Sequence, residues 1–276
     1  MTNQIKIPVL MYHALVEKRT AQLNRVHITV ELFKQQMEWL AAKGYQAVTI
    51  DDMLKNFTAK KTTQKYCVIT FDDGYLSLYK YALPLLKQYE FAATLYLSTA
   101  AVGENDFKNL PGLNPKTLPL NDKPLSWDEI KEMSNNGWAI ESHSVSHADN
   151  SQLSATQLVH EITESKKIIE QQLQKPVLHY AFPFGKYNAA SLKIIKDAGY
   201  KTAATVHAGL CTSKNNLYRL PRLEMNADDS VSSFIKKIET GFISPKEKLR
   251  SSARNILFSN PKVKDLSKRI FKKGIN

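Results

Sequence analysis

Two carboxylates stand side by side at Asp72-Asp73, after the apolar run Val68-Ile69-Thr70-Phe71 and before Gly74. Charge is penalised inside a buried strand, so adjacent acids belong at the strand's C-terminal tip, in a site. Neighbouring side chains there project differently, so one can bind a cation while the other faces a reacting water. By itself Asp-Asp-Gly is more often only a turn. A second group is Glu141-Ser142-His143-Ser144-Val145-Ser146-His147. Histidines four apart share one face of a helical turn and can direct ring nitrogens at one metal, although in a Ser-rich loop such a pair is often coincidence. Joined by a carboxylate from another strand end, they supply two nitrogens and one oxygen, leaving positions open for water and substrate. The third group, Tyr180-Ala181-Phe182-Pro183-Phe184-Gly185, could wall a sugar-sized pocket or simply close a turn with core rings.

Each group must be carried by an element. Strand-like runs are expected at Pro8–Tyr12, Gln46–Thr49, Tyr66–Phe71, Ala92–Leu97, Trp138–Glu141, Leu178–Phe182 and Thr202–Val206. Helical patterns alternate with them at Thr29–Lys43, Tyr79–Tyr89, Ser126–Asn136, Ser154–Leu173 and Ala189–Ala198. Thr29, Ser126 and Ser154 stand as helix caps, and Gly44, Gly137 and Gly199 follow helices where a left-handed residue is wanted. Repeated βα units imply an α/β fold with a mostly parallel sheet, and about seven of them suit a distorted (β/α) barrel. The aperiodic stretch from Gly103 to Pro124 falls on the side where barrel sites are built, as a groove wall or as a neutral insertion.

With 276 residues, 43% hydrophobic and 23% charged, the chain is an ordinary globular one; disordered, collagen-like and disulfide-framework classes are excluded. Cys67 lies in an apolar run far from Cys211, so buried thiols are expected rather than a bridge. No stretch approaches the ~20 apolar residues of a membrane span, and the start lacks a leader pattern, so a cytoplasmic protein is expected. Of the net charge of +12, residues 246–276 carry ten Lys/Arg against Glu247 and Asp265. The chain thus divides into a body, 1–245, and a basic tail, 246–276. In the tail Val263, Leu266, Ile270 and Phe271 recur at helical spacing. That helix could lie on an anionic membrane, at the inner face of the plasma membrane, or dock on the body. No nucleic-acid-binding signature accompanies the charge, and a nucleic-acid partner is not expected.

Taken in order, the groups resemble the polysaccharide deacetylase family, the carbohydrate esterases (family 4) that share the NodB homology domain. Thr70-Phe71-Asp72-Asp73-Gly74 matches its first motif, and His143-Ser144-Val145-Ser146-His147 its second. Pro8-Val9-Leu10-Met11-Tyr12-His13, Ser126-Trp127-Asp128-Glu129-Ile130 and Leu220-Pro221-Arg222 look like the branch containing poly-N-acetylglucosamine deacetylases. The resemblance spans roughly residues 5 to 225 and implies a NodB-type TIM-like barrel over 1–245.

It further implies that Asp73, His143 and His147 hold a divalent metal, zinc before cobalt, nickel or manganese, and that Asp72 is the general base. An oxyanion would be stabilised by the metal and by a backbone N–H of the Phe182–Gly185 loop. Tyr12, Phe182, Pro183, Phe184 and Gly185 are the expected substrate-binding positions. The chain departs from the family at Ala181, where an arginine usually orients the base; Arg222, expected at the end of a later strand, could supply that guanidinium. The family's protonating histidine has no match in Leu217–Leu223, which leaves His13 and His207 as candidates. The expected activity is removal of N-acetyl groups from amino sugars of a polysaccharide or lipid-linked glycan. The alternatives are a deformylase or O-deacetylase of a lipid-linked sugar, or a catalytically weakened glycan-binding member. The oligomeric state is not legible.

Overall fold

The computed structural model describes residues 5–58, 63–119, 122–244 and 249. Strand β1 (Val9–Tyr12) leads through the short β2 (Leu15–Val16) and β3 (Ile28–Thr29) into helix α1 (Val30–Ala42). Next come β4 (Tyr45–Ala47), α2 (Ile50–Thr58) and the long β5 (Lys65–Asp73). A π-helical turn at Leu78–Ala82 runs into α3 (Leu83–Gln88), followed by β6 (Thr94–Leu97), α4 (Trp127–Asn135) and β7 (Ala139–Ser142). Helix α5 (Ala155–Val159), a second π turn (His160–Glu164) and α6 (Ser165–Leu173) are contiguous. The chain then passes through β8 (His179–Ala181), α7 (Ala189–Asp197), β9 (Thr202–Ala204), β10 (Leu223–Glu224) and α8 (Val231–Thr240).

The main sheet runs β10-β1-β5-β6-β7-β8-β9, with β4 paired to the start of β5. Every pairing along it is parallel. One short segment closes the curl: Leu220 bridges Ala204, the last residue of β9, and Leu223 pairs with Leu10 of β1. The result is the distorted (β/α) barrel expected from the alternation of elements. Successive strand residues face opposite ways, so the strands feed two cores. Val9, Val68, Tyr96, Ala181, Ala204 and Leu220 pack together in one. Leu10, Ile69, Phe71 and Leu95 pack in the other, with Phe33, Leu86, Ile130, Ile162 and Ile195 of the helices.

The cap signals hold. Thr29 accepts from Leu32 N, and Ser126 with Glu129 and Ser154 with Gln157 form capping boxes. Gly44, Gly137 and Gly199 take φ of 71°, 89° and 77°. Both cysteines are buried and free. Several expectations need correction. The strands expected at Gln46–Thr49, Leu178–Phe182 and Thr202–Val206 are shorter, and their last residues turn out to form the loops beyond. The helix expected over Ser154–Leu173 is interrupted by the π turn at His160–Glu164. Arg222 precedes a strand, β10, instead of ending one; two residues are too few to give a periodic signal. Gly103–Pro124 contains, among its described residues, a 3-10 turn at Pro115–Thr117 and no strand. No helix among the described residues is long and apolar enough to cross a membrane. The expected tail helix lies outside the described residues.

Candidate active site

Strand β5 ends with the two acids. Thr70 and Asp72, two residues apart, share a face, and both meet Arg222. Alternation would send Asp73 to the opposite face. Its φ of 76° turns it back instead, so both carboxylates are 2% exposed at the same barrel mouth. Such a conformation costs a non-glycine residue on the order of 1–3 kcal/mol and persists only where surrounding contacts impose it. Among the described residues six non-glycines have positive φ, and four of them, Asp73, Ser144, His147 and Phe184, belong to this site.

His143 follows β7, and its Nδ1 donates to the Ala181 carbonyl at 2.8 Å, which leaves Nε2 as the lone-pair nitrogen facing the acids. Nε2 of His143 lies 3.6 Å, and Nε2 of His147 3.3 Å, from Asp73 Oδ1. The two imidazoles do not share a helical turn as expected. Residues 143–147 form a bend in which Ser144 (φ 71°) and His147 (φ 56°) are left-handed, and this fold-back brings the rings to 4.9 Å between centroids. Burial holds both imidazoles neutral, with pKa values lowered to about 4 against the pull of Asp72. Neutral imidazole is the metal-binding form.

Asp73 Oδ1 is buried and has no hydrogen-bond donor, and one ligand atom from each of Asp73, His143 and His147 falls within 4.8 Å of the others. An orphaned carboxylate oxygen beside two neutral nitrogens fits a divalent cation, and the Asp/His/His set leaves coordination positions open. Burial raises the Asp73 pKa. A cation held there would offset the desolvation of this carboxylate.

Asp72 is compensated differently. Arg222, 1% exposed, donates NH1 and NH2 to its two oxygens at 2.7 and 2.8 Å. The guanidinium also donates to the Thr205 carbonyl at 3.0 Å and lies 5.3 Å from the Tyr96 ring centroid. Burial raises the Asp72 pKa, but the Arg222 charge, His143 and the paired hydrogen bonds outweigh it and hold the carboxyl at about 2. Tyr96 shares its core with the small residues Ala181 and Ala204.

Asp72, Asp73, His143 and His147 line a cavity of about 450 Å³ together with His13, Asn24, Asn114, Phe182, Phe184 and Glu224. Of the two candidate acids, His13 lines the cavity. His207 does not: it is buried, with Nε2 3.5 Å from the Tyr187 hydroxyl. Tyr12, expected to bind substrate, faces the other way; it is fully buried against Phe33 and Phe71, with its hydroxyl on Gln36. The expectation failed because the motif's last residues alternate, so a histidine at the mouth implies a tyrosine in the outer core. Phe182 and Phe184 line the cavity, the latter 41% exposed. Pro183 and Gly185 shape the turn beneath them, and Gly185 (φ 65°) packs so closely on Val206 that a Cβ would fall 2.5 Å from Cγ2.

The Gly103–Pro124 stretch does wall the cavity. Gly112 sits on the second histidine: a Cβ there would lie 2.4 Å from the His147 carbonyl, 2.8 Å from its Nδ1 and 3.0 Å from Phe184. The Ala181 carbonyl, Tyr96, Gly112 and Glu161 were not singled out from the sequence. Only Glu161 carried a signal, as a charged residue on the apolar stripe of its helix.

The polysaccharide deacetylase family model matches residues 59–203, and the chain belongs to that family. It is 29% identical over 236 residues to YxkH of Bacillus subtilis (strain 168), covering 85% of this chain and 77% of that one. It is 27% identical over 225 residues to the poly-beta-1,6-N-acetyl-D-glucosamine N-deacetylase of Staphylococcus aureus (strain MSSA476), covering 78% and 73%. The solved Streptococcus pyogenes deacetylase PplD, in complex with acetate, superposes with a TM-score of 0.73 at 26% identity, covering 86% of this chain and all of that one. The protein is a deacetylase of the carbohydrate esterase type, a hydrolase.

Proposed function

We propose that this enzyme removes N-acetyl groups from N-acetylglucosamine-type residues of a polysaccharide or lipid-linked glycan, with a divalent metal, zinc first, held by Asp73, His143 and His147. The observation that carries the reading is the pairing of two differently compensated carboxylates at one cavity: Asp72 locked by Arg222, and Asp73 left open toward two neutral imidazoles. Bound there, the ion would polarise the amide carbonyl and acidify a water toward pKa ~7.

The chain's own residues do the rest. Asp72, ionised throughout the neutral range, accepts the proton of the attacking water, and Arg222 fixes its orientation while keeping it charged. An oxyanion needs a donor from the Phe182–Gly185 loop. Phe182 N donates to Ala204 O, Gly185 N to Phe182 O, and proline has no N–H, so Phe184 N is the donor we assign. His13, at the cavity wall, is assigned the protonation of the departing amine. The departure at Ala181 favoured a binding-only member. Against that stands Arg222, which supplies a bidentate guanidinium from the segment just before β10. The resemblance to the Staphylococcus aureus enzyme supports a poly-β-1,6-linked substrate.

The test is acetate release from β-1,6-linked N-acetylglucosamine oligomers by the zinc-loaded enzyme, compared with Asp72→Asn. Release that falls at least about 10³-fold in Asp72→Asn while metal content is kept supports the assignment. Equal release by both proteins would remove Asp72 from the base role, and release from acetyl esters alone would move the substrate to O-acetylated glycans.

A further inference from the structure

The loop that carries both histidines does not hold its shape through its own backbone. Ser144 and His147 are both left-handed, and neither is glycine. One side of the loop rests on the segment after β6: Thr99 N donates to Ser144 O at 3.2 Å and Ala100 N to Val145 O at 2.9 Å. Within the loop Ser144 Oγ accepts from His147 N at 3.0 Å, and the crest rests on one side chain from outside it. Glu161, 8% exposed, accepts from Val145 N and Ser146 N through one oxygen, both at 2.9 Å, and from the Ser146 hydroxyl through the other, at 2.6 Å.

Glu161 sits in the π turn that interrupts its helix, and π turns are uncommon insertions that often accompany functional sites. The wider turn leaves carbonyls to be satisfied by side chains. Ser165 Oγ donates to Glu161 O and Ile162 O, and the Tyr200 hydroxyl also reaches Ile162 O. Ser165 Oγ in addition lies 2.7 Å from Ser142 Oγ, the last residue of β7, from which the histidine loop departs. The π turn is therefore fastened to both the root and the crest of that loop.

We propose that Glu161 is a positioning residue: its three hydrogen bonds hold segment 143–147 in the bend that turns both imidazoles onto Asp73. This rests on the reading that Asp73, His143 and His147 hold a divalent ion. Glu161 touches no ligand nitrogen; it acts through Val145 and Ser146, between the two histidines.

Two substitutions separate hydrogen bonding from packing. Glu161→Leu keeps most of the volume and loses every acceptor. Glu161→Gln keeps an oxygen for the two N–H groups and an amide that can donate to the Ser146 hydroxyl. The measurement is titration of the metal-free full chain with Co²⁺, followed by visible absorption, with thermal melting of each protein alongside. Residues that orient metal-binding histidines typically cost 10–100-fold in affinity when removed. Glu161→Leu is expected to weaken Co²⁺ binding by about that factor and to change the ligand-field bands, with Glu161→Gln restoring most of both. Glu161→Leu binding as wild type does, or Glu161→Gln binding as poorly as Glu161→Leu, overturns the proposal. If Glu161→Leu does not fold, Ser146→Ala removes one of the three bonds, and wild-type affinity and bands in that variant overturn it equally. Absence of Co²⁺ binding by the wild-type chain would instead overturn the metal reading beneath it.

Discussion

Arg222 is the residue on which the site's charge balance turns. A buried guanidinium is retained only because Asp72 takes two of its donors, Thr205 O a third, and the Tyr96 face covers it. Lysine is a point charge that cannot grip both carboxylate oxygens. Arg222→Lys is therefore expected to lower kcat about 10–100-fold with little change in KM, because Asp72 remains charged but loses its orientation. Steady-state kinetics on a glycan oligomer checks this; a change confined to KM would place Arg222 in substrate binding. Arg222→Met leaves a buried carboxylate alone, which costs about 3–5 kcal/mol and should show as a large drop in the urea midpoint.

At the scale of elements, the barrel mouth is made by loops that the strands only launch. The Gly103–Pro124 stretch is fastened where Asn24 N donates to Thr117 O and Leu125 N to Gly74 O, and its Gly112 lies on His147 and Phe184. There is no space for a Cβ at that point. Gly112→Ala should lift the stretch off the cavity, at about the 1–3 kcal/mol that overpacking costs, and so raise KM for a short glycan about 10-fold while kcat holds. A fall in kcat at constant KM would mean that the strain is relieved through His147 instead. Both outcomes are readable in one kinetic experiment with the metal-loaded enzyme.

For the whole molecule, two buried imidazoles away from the ligand set contribute to how the fold responds to acid. Burial lowers the pKa of His27 to about 3 and of His179 to about 4. Between about pH 6.5 and 4 the unfolded chain takes up protons at these positions and the folded chain does not, so stability falls as the pH drops through that window. Each contributes a slope of at most about 1.4 kcal/mol per pH unit. The loss of urea midpoint between pH 6.5 and 5 should be smaller in His179→Gln than in the wild-type chain; an equal loss in both would rule out the His179 contribution. The ten Lys/Arg of residues 246–276 make a separate prediction. Removing the chain from Pro245 onward should abolish co-sedimentation with vesicles containing phosphatidylglycerol, where each nearby cation contributes about 1 kcal/mol. Unchanged sedimentation would assign the basic segment to another role.

Residue types and their local spacing already determined much of this protein. Asp72-Asp73, His143 with His147, the capped helices and the alternation of strands with helices are all short-range patterns, each set by a turn, a cap or a period that neighbouring residues enforce. Side-chain direction at the ends of those patterns was not legible. Tyr12 turned to the outer core because strand alternation carries through to the motif's last residue, and Asp73 broke the same alternation through a left-handed φ that long-range contacts impose. The tertiary structure alone decided that Arg222 meets Asp72 across 150 positions of chain, that His13 and not His207 lines the cavity, and that Glu161 reaches the histidine loop. These pairings depend on how the barrel closes, and closure joins residues that share no local pattern.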